Sequence, residues 1–484
     1  MSLGTATAAD SAAESRVPLP TVFAFGSVGI PLAGILLMYG VYVPRFYAGL
    51  GISLAVVGVS IFLVRVIDAL FDPLIALVMD RTKTPIGRYR PWLLLGAPIA
   101  MLGVYKVLLP PHGVTAPYMI LWLVVTYLGT SMLNLGFATW AAVLGKSYNE
   151  RSRIFGVSQA LAVTGSIVLL LLPALTHKKV APGLASSMPI IVLMIAVAIP
   201  VAVALCAVFT PERLEANPQR PKFRAADYWS AISNRSMLRI TLADLMLTLG
   251  PGTTGPLYVF FFHDAKGFTV PDVSLLLISY IGAGYLGAPM WARVAQQLGK
   301  HRAVQISCVA YAVTQTTLMA LPRVWPHYQL PQAIPTIVGM FAVGFVASAF
   351  PLLIRAMVGD VADEVKLERK QDLTSLLYSM VTTTTKIGQT VVVLAVFPVL
   401  QIVGYNAKEA AVNTPHAIFG LEMCYLFAPI ILVFGGGAAL IGYKLDAKRH
   451  ADIRLALESH DYAAAEESLV GPIDEPPGAP APAE

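Results

Sequence analysis

The sequence predicts an all-α membrane protein that crosses the bilayer many times, and composition is the first observation behind this prediction. Of its 484 residues, 56% are hydrophobic and 13% are charged, whereas a soluble domain carries about 25% charged residues. The second observation is that apolar runs of about 20 residues, each long enough to cross a bilayer, recur along the chain. Membrane β-barrels instead use alternating segments of about ten residues. Continuous apolar runs therefore predict transmembrane helices.

The apolar runs predict about twelve such helices. They lie near residues 22–43, 53–79, 91–110, 116–145, 154–176, 186–209, 236–262, 270–296, 301–322, 333–358, 371–400 and 416–444. The longest internal polar stretch, Thr210 to Met237, follows the sixth run. We therefore expect two six-helix bundles, at 21–209 and 236–444, joined by a cytoplasmic linker at 210–235. Two related halves are typical of transporters that hold a substrate between them near the midplane.

The charges outside the spans predict the orientation. Lys and Arg concentrate in alternate loops, which places those loops and both termini in the cytoplasm. The net charge of +6 then reflects membrane topology, and a nucleic-acid partner is not expected. Residues 1–20 lack the pattern of a cleavable signal and are expected to be disordered, as is the Pro- and Ala-rich end of the tail at 445–484. We expect a monomer in the bilayer, most simply a bacterial inner membrane.

Other chemistry is poorly supported by the sequence. The three cysteines, Cys206, Cys308 and Cys424, lie far apart in apolar segments, and the histidines lack ligand spacing. We therefore expect no disulfide, no metal site and no cofactor. No nucleophile, base and metal constellation stands out, so an enzyme is not expected.

The second predicted span carries three charges where lipid would be expected. Arg65, Asp68 and Asp72 are spaced i, i+3 and i+7, so a helix places them on one face. A charge at the bilayer centre costs at least ~2.5 kcal/mol on insertion scales, so this face should point into the bundle. Arg65 is expected to pair with Asp68, leaving Asp72 as the freer acid. The set either fixes helix packing or binds a coupling cation, and the excess acid favours the cation site.

Three segments of the chain resemble one known family. RVIDALFDP with the loop DRTKTPIGRYRPWLLLG is similar to the second span and following loop of the glycoside–pentoside–hexuronide:cation symporters, the family of the melibiose permease. NLGFATWAAVLGKSYNERSRI is similar to the family's segment after the fourth span, and DVADEVKLERKQDLTSLLYSMVTTTTKIG to its eleventh-span region. The resemblance implies the major facilitator fold, with twelve transmembrane helices in two six-helix bundles. It also implies symport of a sugar, glycoside or similar small solute with a cation, by alternating access.

The resemblance also implies roles for individual positions. Asp68 and Asp72 fall on the family's two cation-site carboxylates, and Ser131 falls on a hydroxyl that helps to hold the cation. Arg65 and Lys386 fall on cationic positions of the central cavity. The further positions expected near the substrate are Asn134, Gln159 and Tyr378.

Several positions depart from the family's sugar-binding member. That protein has an acid at Asn134, an arginine at Gln159 and a stacking tryptophan at Ala138, and GSVGIPLAGILL lacks its first-span acid. Asn134 and Gln159 can still hydrogen-bond to hydroxyl groups, and Trp140 or Tyr127 offers a stacking face, with helix packing as the alternative for each. The lost charges keep a second substrate class open: an amphipathic lysolipid, of the kind that vertebrate relatives carry.

Phe71 favours a proton over sodium as the coupling ion. The family's sodium-using members have an asparagine between the two acids, at the position of Phe71. A phenyl ring supplies no oxygen ligand, and its apolar surface favours the neutral carboxylic acid. Proton coupling is therefore predicted, with sodium kept as the alternative.

Charges on both halves are expected to close the cytoplasmic side by charge-assisted hydrogen bonds. The first half supplies Asp80, Arg81, Arg88 and Arg90. The expected partners in the second half are Asp360, Asp363 and Glu364. Simple anchoring of the topology by basic residues is the alternative.

Asp244 is a further charge within a predicted span. It lies one turn before LTLGPGTTGP, whose glycines and prolines are expected to break the seventh helix, as broken helices do around substrate sites. A substrate or gating role is one interpretation of Asp244, and a structural role is the other. Arg293 and Arg355 are expected near helix ends, where their charges can reach the membrane surface.

Overall fold

The computed structural model describes most of the chain between residues 17 and 459. The described ranges are 17–145, 148–176, 184–212, 234–324, 330–369, 373–408, 411–443, 445–446, 448–457 and 459. Within them the chain is helical, and the β-structure consists of an isolated bridge between Thr84 and Gly87. Most of the predicted linker, the first sixteen residues and the end of the tail lie outside these ranges.

Twelve helical units follow one another along the described chain, and we number them α1 to α12. The first six are α1 (Leu19–Gly49), α2 (Leu54–Arg81), α3 (Arg90–Leu108), α4 (Ala116–Leu144), α5 (Tyr148–Thr176) and α6 (Leu184–Phe209). The others are α7 (Arg235–Ala265), α8 (Val270–Leu298), α9 (Lys300–Ala320), α10 (Leu330–Ala347 with Ala349–Arg369), α11 (Thr374–Ile402) and α12 (Pro415–Ala439). Ten of them are long and apolar enough to span a membrane. With α9 and α11, the number fits the twelve expected spans.

Small residues let neighbouring helices approach closely. α3 packs on α4, and a β-carbon on Gly129 would stand 2.3 Å from the backbone nitrogen of Ala100. α8 packs on α10, and a β-carbon on Gly344 would stand 2.1 Å from the carbonyl oxygen of Tyr280. Glycine is required at both positions because any side chain would push the backbones apart, a packing device typical of membrane helices.

The seventh helix is continuous, so the expected break is wrong. α7 passes through Pro251 and Pro256 as regular helix. The helix packs closely against α12, and packing against neighbouring helices lets membrane helices tolerate proline. The irregular turn comes later, as a π-helical segment at Phe261–Ala265.

α10 is longer than predicted and changes the position of Arg355. The helix continues to Arg369 because its buried stripe continues, through Val361, Ala362 and Val365. Arg355 therefore lies roughly 20 Å along the axis from the end of the helix, at 1.5 Å per residue. The expectation that Arg355 sits near a helix end is wrong.

In the described part of the chain, three helix pairs make the most extensive contacts between the first six helices and the last six. α2 packs against α11, α5 against α8, and α1 against α7. Since the charged face of α2 belongs to one of these pairs, the packing brings it to the boundary between the halves.

Candidate substrate and cation site

The charged face of α2 is met by groups from both halves. The hydroxyl of Ser131, on α4, donates to Asp68 at 2.6 Å. The ammonium of Lys386, on α11, donates to Asp72 and forms an ion pair with it. Asp68 also interacts electrostatically with Asp72 and Lys386. Two carboxylates, a hydroxyl and an ammonium are thereby brought into one site between the halves.

The expected pairing within α2 is wrong. No ion pair within 4.0 Å joins Arg65 and Asp68 in the described part of the chain. The guanidinium of Arg65 lies over the ring of Tyr127, 5.3 Å from its centroid, and such a cation–π contact stabilises a partly desolvated cation. It is Asp72, the acid expected to be free, that holds a cation, because α11 packs against α2 at this level.

Four of the polar side chains that are predicted to contact the substrate are exposed. The side chain of Lys386 is 51% exposed, and Asn134, one turn after Ser131 on α4, is exposed. Gln159 is exposed on α5, the helix that packs against α8. Tyr378, two turns before Lys386, is also exposed, and its hydroxyl donates to the carbonyl of Arg355 at 3.0 Å. These positions suit contact with a polar ligand, and their substrate role stays a prediction.

Trp140 is not open to a ligand. Its side chain is buried, at 1% exposure, in an edge contact with Phe25 and a stacked contact with Tyr89. The guanidinium of Arg90 covers the same indole at 5.9 Å. The proposed stacking role of Trp140 is wrong in this conformation. Trp140 lies near the end of α4, where the residues that lead into α3 cover its ring.

The basic loop after α2 is held within the first half. The carboxylate of Glu212 accepts from the backbone nitrogens of Arg88, Tyr89 and Arg90 at the start of α3, the second of these at 2.7 Å. The guanidinium of Arg90 donates to the carbonyl of Thr210 at 2.8 Å. This cap satisfies amide groups that a helix N-terminus leaves open. Arg81 is exposed, and the side chain of Asp80 lies outside the described part of the structure.

Two of the three acids expected on α10 are paired within their own half, while Glu364 is buried and its Oε2 has no hydrogen-bond partner in the described part of the chain. Lys300 donates to both oxygens of Asp360, at 2.6 and 2.7 Å. His450, in a helical stretch that follows α12, lies 3.0 Å from Asp363. Among the described residues, no ion pair joins Asp360 or Asp363 to the basic loop of the first half. The expected closure is therefore not formed in this conformation, and a gating role for these residues stays a prediction.

A second contact between the halves was missed from the sequence. We name it the α1–α7 charge cluster: Arg45, His263, Asp264 and Tyr405. Arg45 donates to both oxygens of Asp264, at 2.6 and 2.8 Å, and the two side chains are 11% and 17% exposed. His263 contacts both charges, and the Tyr405 hydroxyl donates to Asp264. One feature of the sequence could have indicated this contact. Arg45 is one of the few basic residues in the loops that are otherwise poor in Lys and Arg.

Asp244 lies next to the central site through Thr385. The Thr385 hydroxyl, on α11, donates to one carboxylate oxygen of Asp244 at 2.8 Å. Asp244 is buried, at 7% exposure, and Thr385 directly precedes Lys386 along α11. Sequence reasoning had noticed this acid without finding its partner, because α7 and α11 are far apart in sequence.

A bundle of membrane-spanning helices with opposite charges held at the boundary of its halves defines a membrane transporter. The chain belongs to the MFS/sugar transport protein family, whose profile matches residues 22–447. Family membership makes it a transporter and not an enzyme.

Individual relatives agree with this assignment. The isoprimeverose transporter of Lactiplantibacillus pentosus is 24% identical over 84% of this chain and 84% of its own. The putative glycoside/cation symporter YagG of Escherichia coli is 24% identical over 86% of this chain and 89% of its own. The human sodium-dependent lysophosphatidylcholine symporter 1 is 22% identical over 83% and 78%.

A solved structure has the same fold. The nucleoside transporter NupG superposes with a TM-score of 0.66 at 12% identity, over 88% of this chain and 100% of its own. The major facilitator fold, predicted from the resemblance, is confirmed.

Proposed function

We propose that the protein is a proton-coupled symporter that carries a sugar or glycoside across the bacterial inner membrane. The observation that supports this most strongly is the ion pair between Asp72 and Lys386, which joins α2 to α11 across the two halves. The carboxylate of Asp68, bonded to Ser131, lies beside it. A cation that binds these acids competes with Lys386 for the same negative charge.

This competition supplies a mechanism for coupling. While Asp72 is ionised, the ammonium of Lys386 is held in a charge-assisted hydrogen bond. A proton on Asp72 removes the charge that holds Lys386, and the ammonium can then donate to a ligand in the cavity. Proton binding and substrate binding therefore favour each other, and this coupling acts equally in both directions.

The choice of proton over sodium depends on the available ligands. Sodium is a hard cation that requires several oxygen ligands, and here Phe71 stands where a further polar ligand would be needed. Asp68, Asp72 and Ser131 are the oxygen ligands that we propose for the cation. A proton needs only one carboxylate, so it is favoured.

The proposed substrate class follows from the polar cavity groups and from the relatives. Asn134 and Gln159 can each donate and accept hydrogen bonds, as recognition of hydroxyl groups requires, and Lys386 adds a donor. The names of the L. pentosus and E. coli relatives indicate an isoprimeverose and a glycoside. The human relative's name favours the second candidate, an amphipathic lysolipid, with sodium as the ion.

Reconstituted protein tests substrate and ion together. Proteoliposomes are given isoprimeverose, a methyl glucuronide or lysophosphatidylcholine, with either a pH gradient or a sodium gradient at constant membrane potential. We expect accumulation of a sugar, driven by the pH gradient and indifferent to sodium. Sodium-driven uptake without a pH response contradicts proton coupling, and uptake of the lysolipid alone contradicts the sugar assignment.

A further inference from the structure

Two opposite charges in the second half are not used by the proposed coupling mechanism. Asp244 on α7 and Arg355 on α10 interact electrostatically. No ion pair within 4.0 Å joins them in the described part of the chain. One oxygen of Asp244 is fixed by Thr385, and in the same described part the other oxygen has no hydrogen-bond donor. Because α7 packs against α10, the two opposite charges belong to one helix contact without forming an ion pair.

Asp244 lies at a depth similar to that of Asp72 in the central site. Asp244 is roughly 13 Å along the axis from the start of α7, and Asp72 is at a similar distance from the end of α2, at 1.5 Å per residue. Arg355 is exposed, and its carbonyl accepts the hydroxyl of Tyr378, a side chain that is itself open to solvent. The side chain of Arg355 is not placed to bring its charge to the membrane surface, because α10 continues for several turns beyond it.

The three charges of α2 already have contacts of their own. Asp72 is paired with Lys386, Asp68 accepts from Ser131, and Arg65 lies over Tyr127. The polar side chains of the first half that are predicted to contact the substrate, Asn134 and Gln159, are exposed and neutral. An exposed guanidinium and a carboxylate with an open oxygen are found instead on α10 and α7.

We propose that Asp244 and Arg355 form the second-half part of the substrate site and recognise adjacent hydroxyl groups of a polyhydroxy ligand. The carboxylate of Asp244 accepts from one hydroxyl, while the guanidinium of Arg355 donates to its neighbour. Thr385 is a positioning residue, since it fixes the carboxylate and directly precedes Lys386. This inference rests on the proposed function, which supplies the class of ligand.

Binding of isoprimeverose to the purified full-length protein in nanodiscs tests the inference. We compare the wild type with Asp244→Asn, Arg355→Gln and Thr385→Val, and use Arg293→Gln as the control for removal of an arginine from a span. Each of the first two changes should weaken binding about tenfold or more, since a tenfold change corresponds to ~1.4 kcal/mol and hydrogen bonds to charged groups contribute about that much. Thr385→Val should have a smaller effect, and Arg293→Gln none.

Conservative changes separate recognition from folding. Asp244→Glu and Thr385→Ser should recover part of the affinity, and size-exclusion profiles and melting temperatures should stay near those of the wild type. If wild-type protein binds the sugar and both charge variants bind it equally well, the inference is wrong while the proposed function stands. If the wild type binds neither isoprimeverose nor a methyl glucuronide, the proposed function fails, and this inference fails with it. Loss of binding in Asp244→Asn together with a collapsed melting temperature, without recovery in Asp244→Glu, indicates a purely structural acid and overturns the assignment.

Discussion

At the residue scale, the partner of Asp72 decides how the central site is interpreted. A carboxylate without a counter-charge would be a simple proton carrier, but Asp72 is held by Lys386 from the other half. The ion pair is only partly shielded, since the lysine side chain is 51% exposed. A ligand or a proton can therefore reach it. The site is arranged for exchange between partners, which a permanently buried pair would not allow.

Removal of the charge of Asp72 should separate uptake from its driving force. Asp72→Asn cannot take up or release the coupling proton, so we expect loss of uphill uptake with facilitated exchange retained. Uptake and counterflow in proteoliposomes measure the two activities. The control is Asp272→Asn, which makes the same substitution at the start of α8. Accumulation at the wild-type level by Asp72→Asn would exclude this acid from coupling.

Removal of Lys386 should weaken substrate binding. Lys386→Ala eliminates a charge-assisted donor that contributes ~1.5–3 kcal/mol, so we expect affinity to fall about tenfold or more. Binding of the transported sugar to purified protein measures this, with Lys106→Ala near the end of α3 as the control. Unchanged affinity in a stable Lys386→Ala protein would remove the lysine from the substrate site.

At the scale of elements, α1 and α7 show how irregular helices can form a contact between the halves. Each contains a π-helical turn, at Met38–Tyr42 and at Phe261–Ala265. Soon after the first turn comes Arg45, and the second contains Asp264, the two charges of the α1–α7 charge cluster. The Tyr42 hydroxyl adds a hydrogen bond of 2.7 Å to Ser274 on α8. Since π-helical turns are frequent at functional sites, this end of the bundle is a candidate for a closure that opens during transport.

Weakening the α1–α7 charge cluster should open this end of the protein. Breaking a buried ion pair by removing one partner costs ~3–5 kcal/mol, so Asp264→Asn should shift the population towards the opposite access state. A cysteine at Gly255 reports this, because a β-carbon there lies 3.8 Å from the carbonyl of Gly40, an ordinary contact.

We expect a membrane-impermeant thiol reagent, added on the Arg45 side, to label Gly255→Cys several-fold faster in Asp264→Asn. Asp272→Asn serves as the matched control. If Gly255→Cys is labelled equally fast in Asp264→Asn and in Asp272→Asn, the α1–α7 charge cluster does not hold the halves together.

At the scale of the whole molecule, the contacts are unequal at its two ends. The α1–α7 charge cluster joins the halves at one end. At the other end, Glu212 caps α3 within the first half and Asp360 pairs with Lys300 within the second. This inequality is expected of an alternating-access transporter observed in one of its states. The cross-half pairs predicted for the basic loop would then belong to the opposite state.

The membrane orientation is the corresponding prediction for the whole chain. Because basic loops alternate with nearly neutral ones, we expect both termini and the loop containing Lys83 in the cytoplasm. Fusions of reporters that are active on only one side of the membrane, placed at the C-terminus and after Lys83, measure this. A periplasmic signal from either position would contradict this orientation.

The sequence by itself determined the helical membrane class, the approximate spans and the charged face of α2, because apolar length and helical spacing are local properties. Only the tertiary structure decided the partners. Lys386 reaches Asp72 across 314 residues of sequence, Trp140 is buried although its residue type suggested a ligand contact, and α7 stays helical through its two prolines where it packs against α12. Each of these outcomes depends on which helix packs beside which. Residue type and spacing along one segment carry no information about that choice.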